Sequence, residues 1–149
     1  GSTQNRIPAG KLKNVGTSAA VLSELVKRLI EHLGQWCIEK VILSKQPDFI
    51  EKNQIILDAD KVGNIVLRYW KAGDRFSPRG INGSKKLARV MRDLHISADE
   101  RRIWPLVADE NHIYWIAFLR GSNYGLPDKN TKKYLLITLK KENREDEES

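Results

Sequence analysis

Basic side chains are concentrated between Arg68 and Arg102, and their types suit the binding of a phosphate-bearing partner. These 35 residues include ten basic and four acidic side chains, which gives the segment a net charge of +6. The basic residues are Arg68, Lys71, Arg75, Arg79, Lys85, Lys86, Arg89, Arg92, Arg101 and Arg102. Arginine binds phosphate through two parallel hydrogen bonds, and lysine acts as a point charge. The segment therefore predicts a site for a phosphodiester backbone, with a solvated basic face as the alternative.

A turn-rich loop is predicted within this segment, over residues 71–84. Its glycines would let backbone N–H groups approach an anion closely. An amphipathic helix is predicted over Lys85–Leu94, and its positive N-terminal end would add to the attraction.

Motifs for catalysis and for metal binding are missing from the sequence. His32, His95 and His112 are far apart and lack the spacing of a zinc site. Asp58 and Asp60 would start a calcium loop only if a further oxygen ligand followed, so a turn is expected there. No phosphate-binding GxxxxGK[ST] loop, dinucleotide GxGxxG motif or GxSxG nucleophile motif is present. We therefore predict no catalytic residue, no metal and no cofactor in this chain.

Length and charge point to one domain with an anionic partner. The 149 residues carry a net charge of +7, and 40% of them are hydrophobic. Residues 142–149 alone carry −4, so the remainder sums to +11; we expect this acidic tail to be disordered. Gly1-Ser2 is typical of a cloning scar, and the sole methionine is Met91. Residues 1–16 are therefore interpreted as a flexible lead-in to an excised domain or a processed chain.

The single cysteine helps to predict the cellular compartment of the protein. Cys37 excludes an intramolecular disulfide, which favours a reducing, cytoplasmic location. Since Cys37 falls in an apolar stretch, we expect it to be a buried small hydrophobic residue. No apolar run approaches the 18 residues of a membrane-spanning helix, so no membrane partner is expected.

The clearest predicted element is an amphipathic helix over residues 17–33. Its apolar residues recur every three or four positions, and Gly34 stands where such a helix ends. The apolar stripe consists of Val21, Leu22, Leu25, Val26, Leu29, Ile30 and Leu33. A stripe of this width must pack against a sheet or a partner.

Strands dominate the rest of the sequence. They are predicted at residues 36–43, 55–57, 65–67 (extended by Tyr69 and Trp70), 104–108, 113–119 and 134–139, with a hairpin turn at 109–111. Ser97 and Glu100 have the spacing of a capping box for a further short helix. The predicted fold class is α+β: an N-terminal amphipathic helix packed on a compact, β-sandwich-like domain with one or two short helices. Residues 17–141 are expected to form this single domain.

One motif in the basic segment is similar to a known family. The sequence LRYWKAGDRFSPRG at 67–80, followed by GSKKL at 83–87, resembles the C-terminal domain of bacterial tRNA(Ile)-lysidine synthase, whose pattern is roughly LxxRxxxxGDRFxPxGxxGxKKL. The resemblance covers about residues 50–140. It departs from the family at Phe118-Leu119-Arg120-Gly121, where the family usually has a glycine and an acidic residue. It therefore indicates a diverged copy.

The resemblance implies a role in tRNA processing. The family's enzyme uses ATP to ligate lysine to a cytidine of the tRNA anticodon loop, and its catalytic half carries an SGGxDS-type loop that is absent here. This chain is then expected to be a non-catalytic, tRNA-binding domain that holds the acceptor-stem region, with the parent ligase's catalytic domain missing. Whether the chain itself belongs to an enzyme stays open.

The resemblance also assigns roles to residues of the basic segment. It implies anion contacts for Arg68, Arg75, Lys85 and Lys86. Lys71, Arg79 and Arg89 complete the predicted RNA-binding set. Structural roles in the loop are implied for Gly73, Asp74, Pro78 and Gly80, with Asp74 either holding Arg75 or capping the loop.

Other functions are compatible with the same residues. The fold could serve as a protein-interaction module whose interface is the helix at 17–33. It could also be an adaptor for DNA or another nucleic acid, or an enzyme in its own right. Tighter binding to structured RNA than to duplex DNA of equal charge would favour the tRNA-binding hypothesis.

A core role for the 17–33 helix makes a measurable prediction. Leu29 lies at the centre of the apolar stripe, so Leu29→Ala should lower the free energy of unfolding by about 2–5 kcal/mol. Urea denaturation of the two proteins measures this difference. Unchanged stability together with dissociation of a dimer would instead identify the helix as an interface.

Overall fold

The computed structural model describes residues 36–141, which fold into nine strands and two short helices. The predicted helix at 17–33, the lead-in at 1–16 and the tail at 142–149 lie outside these residues. The elements are β1 (Trp36–Leu43), β2 (Gln54–Asp58), β3 (Val66–Arg68), β4 (Arg75–Phe76), β5 (Lys85–Lys86), α1 (Leu87–Asp93), α2 (Ala98–Arg101), β6 (Leu106–Ala108), β7 (Ile113–Ile116), β8 (Arg120–Gly121) and β9 (Tyr134–Lys141). The predicted β-rich α+β class is confirmed for this part of the chain.

A four-stranded antiparallel sheet forms the middle layer, with the strand order β3-β6-β7-β8. On one face, α1 contributes Leu87, Val90 and Met91 to a core shared with the sheet. On the other face, the sheet packs against β2 and β9 in a second core. Both faces are therefore buried, and β6 and β7 are apolar at every position because neither face meets water.

A second antiparallel sheet has the order β1-β9-β2, so its central strand is the last strand of the chain. The register pairs Trp36 with Lys141 and Leu43 with Tyr134 on one side of β9. On the other side it pairs Gln54 with Thr138 and Asp58 with Tyr134. β1 and β2 thus run parallel to each other and meet only through β9.

The strand predictions are confirmed for β1, β2, β9 and the β6–β7 hairpin, with shorter bounds for the hairpin strands. β3 ends at Arg68, so the predicted extension through Tyr69 and Trp70 is wrong. Trp70 instead lies against the first core. The Arg101 guanidinium lies over the Trp70 ring, with 4.9 Å between the guanidinium carbon and the ring centroid. This tertiary contact has no local signal in the sequence.

Cys37 is exposed, so its predicted burial is wrong. It occupies β1, which lies at an edge of its sheet. Trp36 and Ile38 pack against the cores, and alternate residues of a strand point to opposite faces. Cys37 therefore points away from the core.

Lys85 and Lys86 form strand β5 rather than the start of a helix. The helix α1 begins at Leu87 and ends at Asp93, whereas the sequence predicts Lys85–Leu94. β5 pairs with β4, and β4 itself falls within the predicted loop at 71–84. The capping box of α2 is confirmed, because Ser97 Oγ accepts the Glu100 N–H at 3.2 Å and Glu100 Oε1 accepts the Ser97 N–H at 2.7 Å.

Phe118 follows β7 in a backbone conformation that side chains rarely adopt, with φ of 71°. Its ring packs edge-on against Trp36, with 5.6 Å between the ring centroids. The contact joins the end of the middle sheet to the start of β1, which compensates for the backbone strain.

The turn at Asp58 and Asp60 is as predicted. Asp58 Oδ1 accepts the Asp60 N–H at 2.9 Å, and Asp58 Oδ2 accepts the Thr131 hydroxyl at 2.7 Å. Across residues 36–141, no three His, Cys, Asp or Glu side chains lie together in a way that could hold a metal. No helix in this range is long and apolar enough to cross a membrane.

The β6–β7 hairpin is organised by a buried carboxylate, that of Asp109. Its Oδ1 accepts the N–H groups of Asn111 and His112. Its Oδ2 accepts the Gly63 N–H at 2.8 Å and the Tyr114 hydroxyl at 2.6 Å. Burial raises the pKa of Asp109, but these hydrogen bonds outweigh burial and lower it from 3.8 to about 2. Burial and the same hydrogen bond raise the pKa of Tyr114.

Asp109 should make the fold sensitive to acid. The pKa of Asp109 in the folded protein, about 2, lies below the ordinary value of 3.8. The contribution of the ionised carboxylate to the free energy of unfolding is therefore fully present above about pH 4 and is lost as the pH falls towards 2. The loss should approach about 2 kcal/mol. Urea denaturation across this pH range should show a smaller decline for Asp109→Asn than for the parent. The exposed Asp48→Asn variant is the control; an equal decline in the parent and Asp109→Asn would contradict the prediction.

Candidate nucleic-acid interface

The ribbon formed by β4 and β5 brings three of the predicted binding residues together. Arg75 pairs with Lys86 across the ribbon, and Phe76 pairs with Lys85. Phe76 is buried in the first core, which fixes the ribbon to the domain, while the three basic residues are exposed. Like charges placed opposite each other on two strands repel. The ribbon thus concentrates positive charge that the fold does not use for packing.

The Arg75 side chain is oriented along this ribbon. Its Nε donates to Ser84 Oγ and its Nη2 donates to the Ser84 carbonyl, each at 2.9 Å. Both acceptors are neutral, so the guanidinium keeps its full charge while its position is fixed.

Arg68 lies in a different environment. Its Nη1 and Nη2 donate to the two carboxylate oxygens of Asp74 at 2.9 and 3.1 Å, and the Asp74 side chain is only 8% exposed. The expectation that Asp74 holds Arg75 is wrong, because the bidentate partner of Asp74 is Arg68. The charge of Arg68 is therefore already neutralised.

Asp74 also makes hydrogen bonds within the loop and to the start of α1. Its Oδ2 accepts the Lys71 N–H at 2.9 Å, and its carbonyl accepts the Leu87 N–H at 2.8 Å. The first N–H of α1 is therefore taken by the loop, which links the loop to the helix start. Gly73 next to it has φ of +92°, a conformation that favours glycine.

Loop residues 78–81 are held by a segment more than 40 positions away in sequence. Pro78 is buried and forms an isolated β-bridge with Ser122. Gly80 has φ of +84°, and its N–H donates to Asn123 Oδ1 at 2.9 Å. Asn123 Nδ2 donates to the carbonyls of Pro78 and Ile81 at 3.0 and 2.8 Å. These contacts fix the loop at Pro78 and Gly80.

Arg120 lies in the same region and is a residue that sequence reasoning missed. Its Nη2 donates to the Arg79 carbonyl at 2.9 Å, and the Arg79 N–H donates to the Gly121 carbonyl at 3.0 Å. No periodic pattern in the sequence predicts that β8 lies beside residues 78–79. The only signal in the sequence was the departure from the family pattern at 118–121.

The remaining predicted residues are exposed and are not brought into the ribbon by any described contact. They are Lys71, on the loop, and Arg89, on α1. Within residues 36–141, ion pairs involve Lys61, Arg68 and Lys140. In this part of the chain, then, no carboxylate pairs with Lys71, Arg75, Arg79, Lys85, Lys86, Arg89 or Arg120. An exposed surface of unneutralised cations is suited to a polyanion.

The segment that carries this surface matches a known protein family. Residues 65–137 match the model of the family described as "TilS substrate C-terminal domain". This chain carries a TilS C-terminal domain. The match spans strands β3 to β8, the loop at 71–84 and the first half of β9.

Relatives of this TilS C-terminal domain are named tRNA(Ile)-lysidine synthase. The protein from Caldanaerobacter subterraneus subsp. tengcongensis is 40% identical over 115 residues, which cover 76% of this chain and 25% of that protein. The protein from Clostridium acetobutylicum is 40% identical over 92 residues, or 61% of this chain and 20% of that protein. The chain thus spans about a quarter or less of the length of these relatives.

A solved structure shares the fold. The crystal structure titled as a TilS C-terminal domain matches with a TM-score of 0.61 and 24% identity, covering 71% of this chain and 84% of the other. The arrangement of sheets and helices described above is therefore that of the TilS C-terminal domain.

The Arg68–Asp74 pair predicts a stability effect in this TilS C-terminal domain. Asp74→Ala leaves the half-buried Arg68 guanidinium unpaired and the Lys71 N–H without its acceptor, so the free energy of unfolding should fall by about 1–3 kcal/mol. Arg68→Ala should also destabilise the fold, whereas the exposed Lys71→Ala should change it by less than about 0.5 kcal/mol. Urea denaturation measures all three. A stable Arg68→Ala variant with weakened RNA binding would show that Arg68 contacts the anion instead.

Proposed function

We propose that this chain is a non-catalytic tRNA-binding domain of a tRNA(Ile)-lysidine-synthase-like protein. The observation that carries the proposal is the set of exposed, unneutralised cations on the β4–β5 ribbon and the adjoining loop, in a domain whose relatives are named for an enzyme that acts on tRNA. The ribbon and the loop would hold the acceptor-stem region of the tRNA through its phosphates. The proposed compartment is the cytoplasm, where tRNA is modified.

The predicted residues fall into three groups. Arg75, Arg79, Lys85 and Lys86 have no carboxylate partner in the described range, so their charge is available to phosphate. Arg68 pairs with Asp74 and would position the loop rather than bind. Lys71 and Arg89 would contribute to the surrounding positive potential, which steers an RNA towards the site.

Catalysis would belong to a part of the parent protein that this chain does not contain. The relatives are about four times as long as the matched segment, which leaves room for a catalytic domain. That domain would supply the ATP-dependent ligation of lysine, and this domain would supply affinity for the substrate tRNA.

A protein-interaction role is the second candidate, and exposed apolar residues favour it. Ile42 on β1 is 56% exposed, and Phe49 in the following connection is 77% exposed. These side chains belong to β1 and to the β1–β2 connection, not to the β4–β5 ribbon. An interface with another protein domain could therefore coexist with RNA binding.

RNA binding by the ribbon should depend strongly on salt. About four phosphate contacts predict that affinity for an acceptor-stem RNA hairpin falls on the order of 10²-fold between about 50 and 200 mM salt. Lys85→Ala/Lys86→Ala should flatten the log-log slope by about one to two, with little loss of stability. Deletion of residues 142–149 removes a net charge of −4 and should tighten binding modestly if the tail competes for this surface. Fluorescence anisotropy across a salt series measures all three proteins.

The comparison ligand is a DNA duplex of equal charge. Weaker binding to this duplex than to the RNA hairpin supports recognition of structured RNA. An unchanged slope in the double variant would exclude the ribbon from the site. Failure of the parent chain to bind at low salt would refute RNA binding by this domain.

A further inference from the structure

We propose that the ring of Tyr124 stacks on one unpaired nucleobase of the bound RNA. The proposal rests on the proposed RNA-binding function and adds a base contact to the phosphate contacts of the β4–β5 ribbon. Tyr124 lies outside the basic segment at 68–102, so its part in such a site comes from the fold and not from the sequence pattern.

Three rings, those of Tyr114, His112 and Tyr124, form an aromatic column that leads from the core to the surface. The buried Tyr114 ring meets the His112 ring edge-on, with 6.1 Å between the ring centroids. The His112 ring is stacked on the Tyr124 ring, with 3.8 Å between the centroids and 15° between the planes. Tyr124 is nevertheless 39% exposed. Since His112 covers one face of the Tyr124 ring, a further flat ring would stack on the opposite face.

The aromatic column is fixed in place before any ligand arrives. The Asp109 carboxylate accepts the backbone N–H of His112 at 2.9 Å and the Tyr114 hydroxyl at 2.6 Å. Gly125, which follows Tyr124, has φ of +70°, and a Cβ there would be 3.1 Å from Tyr114 Cε1. A glycine therefore lets this segment lie directly against the column. A ring that is already held in position loses little conformational entropy on binding, which favours affinity.

The outer end of the aromatic column lies at the base of the basic loop. The Tyr124 hydroxyl is 3.5 Å from Ser77 Oγ, and Ser77 directly follows β4. Asn123, the neighbour of Tyr124, donates its backbone N–H to the Ser77 carbonyl at 2.9 Å. Its side chain accepts the Gly80 N–H at 2.9 Å. An RNA strand whose phosphates lie on this loop, next to the exposed Arg79, therefore passes close to the Tyr124 ring.

The chemistry of stacking identifies the ligand as an unpaired base. Bases inside a duplex already stack on their neighbours, whereas bases of single-stranded loops and ends are free to stack on aromatic side chains. Every base has a π-face, so such a contact tolerates different sequences. The acceptor end of a tRNA offers unpaired bases, because its 3′ strand extends past the last base pair. The neighbouring cations favour a polyanion, so the proposed occupant is a base of this 3′ strand.

The test changes the ring and the base separately and together. The ligands are acceptor-stem hairpins with the single-stranded 3′ end, in which one overhanging nucleotide at a time is made abasic, so that every phosphate is kept. At the contacting position, loss of the base should weaken binding by the full chain about tenfold. Tyr124→Ala should weaken binding of the intact hairpin about tenfold and should add little to the loss in that abasic hairpin, because both changes remove one contact. Fluorescence anisotropy measures all four combinations.

Further variants separate stacking from other effects. Tyr124→Phe keeps the ring and should keep the parental affinity, whereas Tyr124→Leu keeps apolar bulk without a ring and should bind as weakly as Tyr124→Ala. The log-log salt slope should stay unchanged in all three, since no charge is removed. Phe49→Ala removes a ring that is 77% exposed on the β1–β2 connection and is the matched control. Thermal denaturation checks that each variant folds; if Tyr124→Ala unfolds, Tyr124→Leu carries the test.

The outcomes distinguish the two proposals. Additive losses from Tyr124→Ala and every abasic substitution, or parental affinity in Tyr124→Leu, would overturn the stacking contact while RNA binding still stands. Equal losses in Tyr124→Phe and Tyr124→Ala would assign the effect to the hydroxyl and would also overturn it. Failure of the parent chain to bind the hairpin at low salt would instead refute the proposed function.

Discussion

Burial of both faces of the middle sheet is the constraint on which the rest of this structure depends. The helix α1 covers one face and the sheet of β1, β9 and β2 covers the other. No charged side chain can lie on β6 or β7 without losing its hydration, which would cost several kcal/mol. Charges therefore lie outside β6 and β7: on loops, on the β4–β5 ribbon, on the two helices and on other strands. The one buried carboxylate of the β6–β7 hairpin, on Asp109, is retained because four hydrogen bonds replace water.

The same constraint explains how the basic surface divides into structural and available charge. Where a cation approaches the core, as Arg68 does, the fold supplies a carboxylate for it. On the exposed β4–β5 ribbon, water is sufficient to solvate the cations, and no carboxylate of the described residues pairs with them. Positive charge thus accumulates at the rim of the domain. Free side chains there contribute little to stability, so their number can be set by binding instead.

The sequence predicted the elements whose signals are local. The alternation in Trp36–Leu43 and the capping box at Ser97 were sufficient to place β1 and the start of α2. Lys85 and Lys86 were assigned to a helix because they continue its amphipathic pattern, whereas pairing with β4 decides their conformation. Arg120 reaches Arg79 across 41 residues, and no pattern within a short window contains that information. The basic segment was therefore visible from the sequence, but the division of its residues into structural and exposed groups was not.

The central position of β9 has a consequence for synthesis on the ribosome. β1 and β2 both pair with β9, and 90 residues separate the end of β1 from the start of β9. At about 5–20 residues per second, those residues take on the order of 5–20 s to translate. Throughout that interval the nascent β1 has no hydrogen-bonding partner in its own sheet, and its edge is open to other chains. Glu39 and Lys40 in the middle of β1 are charged residues of the kind that discourage such pairing, so this strand is protected during the seconds before its sheet can form.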